Sequence, residues 1–239
     1  MSTEKEDFSE ILRNGEFESL TENYLGTNSV FICSIRHENI ILKVVYKPLK
    51  GEAPLHDFQY GTLFMREMAS YLISQHLGWE IIPLTIIRDG PYGIGTVQLY
   101  IDHNPDKDYF SIRIHRKERL KQIAVFDILT NNADRKASHF LIDDYNHVWG
   151  IDHGLTFNIE YKLRTIVWDF INEPFSREII SQLESLKIEI SSDSKLLKEI
   201  GNLLTQNEIK ALIDRLTFML ETPNFPTPSL GRNIPWPPI

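Results

Sequence analysis

Cys33 is the only cysteine among 239 residues. That excludes an internal disulfide framework and a cysteine-based metal cluster. The residue sits in the apolar run Val-Phe-Ile-Cys-Ser-Ile at 30–35, where a small buried hydrophobe is expected. Basic residues are outnumbered, with 25 Lys and Arg against 33 Asp and Glu, for a formal net charge of −8. A surface of that sign disfavours broad nucleic-acid binding and attraction to anionic membranes. One local basic stretch does occur, Ile-Arg-Ile-His-Arg-Lys-Glu-Arg at 112–119. No apolar run reaches the ~18 residues of a membrane span, and the charged first seven residues offer no hydrophobic leader. A cytoplasmic protein with no transmembrane segment and no nucleic-acid partner is expected.

What is present is ordinary globular composition, 42% hydrophobic and 24% charged, in a chain long enough for one or two domains with a substantial core. The first third has the alternation of strands. Residues 29–34 and 40–46 flank the polar turn Arg36-His37-Glu38-Asn39, a hairpin signal. Residues 62–76 follow as a helix, with Met65, Met68, Ala69, Leu72 and Ile73 on one face. Residues 79–88 and 95–101, around the turn Asp89-Gly90-Pro91, predict a second strand pair. A polar connector at 102–108 then leads to a helix over 116–129 and a short hairpin at 140–143 and 147–151. Two or three amphipathic helices fill 175–220, and the proline-rich tail at 222–239 has little expected regular structure. The implied organisation is an N-terminal β-rich lobe (1–101), a hinge or connector (102–108), a helical lobe (109–221) and a tail (222–239). A cleft between two such lobes is a preferred ligand site.

Polar chemistry concentrates at that junction. Asp134 lies in a polar loop directly after a helix, where a carboxylate can accept a proton from a hydroxyl. His139 begins the next strand and as a neutral imidazole can ligate a divalent cation. Asp152 ends the second strand of the hairpin, ahead of His153-Gly154, where glycine is expected to let the backbone turn. Magnesium favours one or two carboxylates with phosphate oxygens and water, which makes Asp152 its natural ligand. Lys47 ends a hydrophobic strand, where its ammonium can reach phosphates, oriented by Glu67 from the following helix. Asp127 sits on an apolar helical stripe and is expected to tether backbone of the next loop, because burial of a lone carboxylate is costly. One acid for the hydroxyl and another for a metal is the division of labour that phosphoryl transfer requires.

Four segments in this order carry a family resemblance: Tyr46-Lys47-Pro48, Arg66 to Leu72 (Arg-Glu-Met-Ala-Ser-Tyr-Leu), Asn132-Ala133-Asp134-Arg135, and Ile151-Asp152-His153-Gly154-Leu155. Together they resemble the phosphatidylinositol 3-/4-kinase-like superfamily of atypical kinases, in particular type II and gamma-type phosphatidylinositol 4-kinases and small bacterial proteins of that kind. The resemblance covers about 26–155. It implies an α+β, two-lobed protein-kinase-like fold: a β-rich N-lobe with one long helix and a mainly helical C-lobe. By the same resemblance Asp134 orients or deprotonates the acceptor hydroxyl, and Lys47 with Glu67 positions ATP. Gly26, Thr27, Asn28 and Ser29 cover the phosphates, while Gln98, Leu99, Tyr100 and Ile101 form the hinge against adenine. Asp152 and His139 take the metal positions. The implied activity is ATP-dependent transfer of the γ-phosphate to a protein serine or threonine, or to a lipid hydroxyl.

Two residues depart from that pattern. Lys136 replaces a loop histidine, and His139 replaces the asparagine expected as second metal ligand. Imidazole is a softer donor than magnesium usually selects, so manganese is the alternative to magnesium, or His139 supports the site from behind. A nucleotide-binding, pseudokinase-like module without efficient turnover is the second reading. The third is a metal-dependent hydrolase using Asp134, His139, Asp152 and His153. Against it, such enzymes spread their ligands over several helices, whereas these cluster at one hairpin.

Overall fold

The computed structural model describes residues 2–23 and 28–239. Gly26 and Thr27, expected over the phosphates, lie outside the described residues. The five-stranded antiparallel sheet consists of β1 (Glu16–Asn23), β2 (Val30–His37), β3 (Ile40–Pro48), β4 (Thr85–Gly90) and β5 (Gly93–Leu99), in the order β1-β2-β3-β5-β4. Alternation in β2 and β3 buries Phe31, Cys33, Ile35, Val44 and Tyr46 on one face. That face packs on helix α1 (Ser2–Asn14) through Ile11 and Leu12. Burial pushes the Cys33 thiol up to about 11, which suits a packing residue rather than a nucleophile. Neither α1 nor β1 is evident in the sequence pattern. β1 is an edge strand rich in glutamate, and such charges protect an edge while erasing the period-two signal.

The turn between β4 and β5 falls between Gly90 and Gly93, which pair across it. The expected strand from Trp79 shortens to Thr85–Gly90. Trp79, Ile81 and Ile82 are buried in the main core instead, so their apolar run reports packing, and Pro83 interrupts any ladder.

Helix α2 (Leu63–His76) is buried around most of its circumference, including Phe64, Arg66, Glu67, Ser70 and Ile73. It touches both β4 and the helical half of the molecule, which explains why its polar residues are as buried as its apolar ones.

The helical half contains α3 (Tyr109–Ile112), α4 (Lys117–Thr130), α5 (Arg177–Ile190), α6 (Lys195–Gly201) and α7 (Gln206–Glu221), with the hairpin β6 (Phe140–Ile142) and β7 (Val148–Gly150). Ser176, Ser194 and Thr205 cap α5, α6 and α7, each side chain accepting the backbone N–H three residues on. Leu120, Ile123, Phe126 and Leu129 of α4 share one core with Leu183 and Leu186 of α5 and Leu212 and Leu216 of α7. Residues 100–108 and 222–239 contain no helix or strand. No described helix is long and apolar enough to cross a membrane. The result is an α+β arrangement of a strand-rich half and a helical half, with α2 between them.

Candidate active site

Alternation along β3 places Lys47 on the face opposite the buried Val44 and Tyr46. Its ammonium lies 3.1 Å from Oε2 of Glu67 and 3.2 Å from Oδ1 of Asp152. The lysine of the sheet and an aspartate 105 positions later therefore meet directly. The approach depends on Gly95, paired with Pro48 across β3 and β5. A Cβ there would stand 2.3 Å from the Lys47 carbonyl oxygen and 2.6 Å from Pro48 Cα. Burial alone would push the Lys47 ammonium down, but Asp152 and Glu67 outweigh it and raise it. Glu67 is almost fully buried, which raises its carboxyl against the pull of Lys47.

Helix α4 ends at Asn131, in the left-handed region with φ +55°. Its side-chain amide donates to the carbonyls of Asn158 and Glu160, and its oxygen accepts from Lys162 N–H. Asn132 then accepts the Asp134 N–H at 2.9 Å. Below this loop lies a buried polar network. Arg135 donates through Nε and Nη2 to both oxygens of Asp127, each at 2.9 Å, and through Nη1 to the Ile151 carbonyl at 2.8 Å. Asp127 also accepts from the Asn132 amide. The expected tether thus exists, but it grips side chains of the loop rather than backbone. Pairing and hydrogen bonds from every guanidinium nitrogen of Arg135 offset the cost of desolvating these two buried charges.

Arg135 Nη2 lies 2.6 Å from His153 Nε2. A guanidinium only donates, so this nitrogen accepts, and His153 is neutral. Burial and Arg135 hold it well below the ordinary histidine range. His153 is turned into the core, which removes it from the ligand set of the hydrolase reading.

The adjoining Asp152 adopts φ +61°, so the left-handed residue of the turn is the aspartate itself, not Gly154. Aspartate tolerates this conformation better than most residues, and strain of this kind gathers at functional sites. Asp152 is half-exposed, and the Lys47 ammonium holds its carboxyl well below the usual range.

One oxygen of Asp134, one of Asp152 and a ring nitrogen of His139 all lie within 4.8 Å of one another. Two carboxylates and an imidazole so grouped are donors that could hold one divalent ion. Burial pushes the His139 imidazole down to about 3, against the pull of Asp152, so it is neutral and able to donate a lone pair. Burial raises the Asp134 carboxyl to about 6, although Lys136 counteracts that rise. Lys136 sits 3.2 Å from Asp134 Oδ2. This ion pair was not foreseen, and its only sequence signal is a lysine two positions after the acid.

Other expected residues are placed differently. Asn28 and Ser29 are pinned beside the end of β3, Asn28 Oδ1 accepting from Ala53 N–H at 2.8 Å and Ser29 N–H donating to the Gly51 carbonyl at 2.9 Å. The Gln98 side chain is buried and donates to Thr85 Oγ1. The N–H groups of Leu99 and Tyr100 donate to the carbonyls of Leu84 and Lys43. Of the four hinge candidates, Gln98 is therefore a structural tie between β4 and β5. Leu99, Tyr100 and Ile101 remain half-buried beyond it.

No known family model matches the chain. Structurally, it is similar to the Golgi casein kinase, with TM-score 0.56 and 13% identity over 92% of this chain and 75% of that one. The Mn/ADP-bound form of that kinase gives TM-score 0.57 at 13% identity over the same shares. The Helicobacter pylori proinflammatory kinase CtkA gives 0.50 at 14% identity, over 90% of this chain and 94% of that one. These likenesses show an atypical kinase-like fold. In sequence, rice (Oryza sativa subsp. japonica) phosphatidylinositol 4-kinase gamma 4 is 27% identical over 71% of this chain, which covers 33% of that protein. Protein Rv2133c of Mycobacterium tuberculosis is 34% identical over 98% of this chain and 96% of its own length. The chain, atypical kinase-like in fold, belongs to the family of Protein Rv2133c.

Proposed function

We propose that this protein is an ATP-dependent phosphotransferase of the phosphatidylinositol 3-/4-kinase-like kind, acting on a hydroxyl acceptor. The observation that carries this reading is the meeting of Lys47 with Glu67 and Asp152, at 3.1 and 3.2 Å, beside the Asp134–His139–Asp152 donor set. Phosphoryl transfer is catalysed mainly by positioning and charge neutralisation, and these residues are suited to both. Lys47, oriented by Glu67, would hold phosphate oxygens of ATP. Asp152 and His139 would hold a divalent cation, whose chemistry is to neutralise charge on the phosphates. An imidazole donor favours manganese over magnesium more than an all-oxygen set does, and one structural neighbour was solved with Mn and ADP. Asp134 would orient the acceptor hydroxyl and take its proton. Lys136 beside it would steady the carboxylate and add positive charge where the phosphoryl group passes.

A protein serine or threonine is the acceptor we favour, and a lipid headgroup hydroxyl is the alternative. The test uses purified protein and labelled ATP with Mg²⁺ or Mn²⁺, with protein acceptors in one arm and phosphatidylinositol vesicles in the other. Transfer by wild type that is lost in Asp134→Ala supports the reading. Nucleotide-induced thermal stabilisation without turnover would favour the pseudokinase-like module, and the absence of both transfer and stabilisation would sink both readings.

A further inference from the structure

Residues 222–239 form no helix or strand, yet their backbone closes on the loop that carries the candidate catalytic groups. The tail is anchored first at Phe225, buried against Phe170 and Phe175, with its N–H on the Glu173 carbonyl and its own carbonyl accepting from Asn172. It then folds into a turn held by Asn233. That side chain accepts from Ser229 N–H and Oγ–H and donates to the carbonyls of Ser229 and Gly231. The turn presents the Asn233 carbonyl to Thr165 N–H at 3.0 Å and to the Trp168 indole N–H at 3.3 Å. Thr165 is the residue bridged to Arg135, whose own N–H and carbonyl are bonded to Arg164 and Ile166. Pro235 is buried. Finally the Pro238 carbonyl accepts the Ala137 N–H at 2.9 Å.

That last bond has a specific physical role. Ala137 opens a 3-10 turn, Ala137–His139, and the first N–H groups of a helical turn have no partner within it. Ala137 is fully buried, and the Pro238 carbonyl is the partner that satisfies its N–H there. The same turn sets the direction of His139 and follows directly on Lys136. We infer that residues 225–238 are a positioning strap for the catalytic loop, with the Pro238 carbonyl fixing the turn that aims His139 at the metal position and the Asn233 carbonyl holding the Thr165 segment that is bridged to Arg135. This rests on the phosphotransferase reading of the site. Asn233 and Pro238 are positioning residues, since neither is placed among the ligand-holding groups.

The test uses the full chain with Asn233→Ala, which removes the side chain closing the turn, and separately with Pro235→Asp, which puts a charge on a buried tail contact. Amide hydrogen exchange at Ala137 and Thr165 reports whether the strap is seated. Titration with Mn²⁺ alone reports the donor set, and steady-state kinetics at saturating Mn²⁺ report kcat and the KM for ATP. Release of the strap should speed exchange at both amides and weaken Mn²⁺ binding by roughly 10- to 100-fold, the usual cost of losing groups that orient metal ligands. It should lower kcat while leaving the KM for ATP, governed by Lys47 and the sheet, near wild type. Fast exchange at Ala137 and Thr165 in wild type would overturn the strap, as would its release with unchanged Mn²⁺ affinity and kcat. Wild type that binds Mn²⁺ but transfers no phosphate would overturn the phosphotransferase reading alone, because exchange and Mn²⁺ titration still decide the strap.

Discussion

The role proposed for Asp134 needs its carboxylate ionised in a place that burial makes unfavourable. Its carboxyl is raised to about 6 from an ordinary 3.8, and Lys136 limits the rise. Between those values the folded chain holds a proton that the unfolded chain has released. Stability therefore falls as pH rises through this window and stays lowered above it. Asp134→Asn removes the penalty, so the variant should melt higher than wild type above pH 6 and no higher below pH 4. Its phosphate transfer should fall by about 10²- to 10⁴-fold, the usual worth of a positioned proton acceptor. Wild-type transfer should climb with pH through about 6 as the carboxylate ionises. Melting curves and a rate profile across that range check both halves, and a lower melting point for Asp134→Asn at pH 8 would contradict the argument. His139 has the opposite sign. Held down to about 3, it costs stability as pH drops below its ordinary 6.5, because the unfolded chain then takes up a proton that the folded chain refuses. His139→Gln should accordingly flatten the acid side of the stability profile. The identities of Lys47, Glu67, Asp134, His139 and Asp152 were legible as candidates because each stands beside a strand end, helix or turn that sequence pattern can locate. The Lys136–Asp134 pair was not, since an ion pair depends on side-chain direction that spacing alone does not fix.

At the scale of elements, the site depends on two placements that the chain could not announce. One is the close approach of β5 to β3 at Gly95. Adding a methyl group there forces it against the Lys47 carbonyl and Pro48 Cα, and overpacking of this kind costs about 1–3 kcal/mol. Gly95→Ala should lower stability by that amount in urea unfolding. It should also weaken ATP binding, because the displaced strand end is the one that carries Lys47. The other is the buried Arg135, donating to Asp127, Ile151 and His153. Arg135→Met leaves Asp127 as an uncompensated buried charge, a loss of about 3–5 kcal/mol. For a chain of this length that is a fall of roughly 6–20 °C in melting temperature. A fall under about 3 °C would mean that water or a shifted side chain satisfies Asp127. The β2–β3 hairpin was legible because burial there follows a period of two, and α2 and α4 because their apolar residues recur at helical spacing, although both are buried well beyond that one face. The run from Trp79 was misassigned because a buried connector and a buried strand have the same apolar composition. α1 and β1 were missed because exposure removed the pattern, and the tail's contacts because backbone carbonyls leave no trace in side-chain identity.

Across the whole molecule, the arrangement amounts to a choice made by one ammonium. Lys47 belongs to the strand-rich half and Asp152 to the helical half, and they meet at 3.2 Å. In that contact Lys47 holds Oδ1 of Asp152, whose Oδ2 faces His139 at 3.5 Å, so by the proposed reading ammonium and cation would compete for the charge of one carboxylate until nucleotide phosphates drew the lysine toward themselves. A two-lobed organisation was legible from the order of the motifs. The Lys47–Asp152 contact was not, because it joins two distant segments and is a property of neither. It leads to opposite effects from one substitution. Lys47→Met should bind Mn²⁺ alone more tightly than wild type, since Asp152 is freed. It should lose the stabilisation by ATP with Mn²⁺, which in wild type should reach ~2.7 kcal/mol at 100 times Kd, a rise of about 5–10 °C for a chain of this size. Asp152→Ala should lose both responses. In the double variant the two single effects should not add, because residues in contact couple by about 0.5–3 kcal/mol. Calorimetric Mn²⁺ titration and thermal shift on the four proteins measure each term. Weaker Mn²⁺ binding by Lys47→Met, or additive effects in the double variant, would mean that the lysine and the metal site do not share Asp152, and the Lys47–Asp152 pair would then be a structural contact between two halves rather than part of the proposed ATP site.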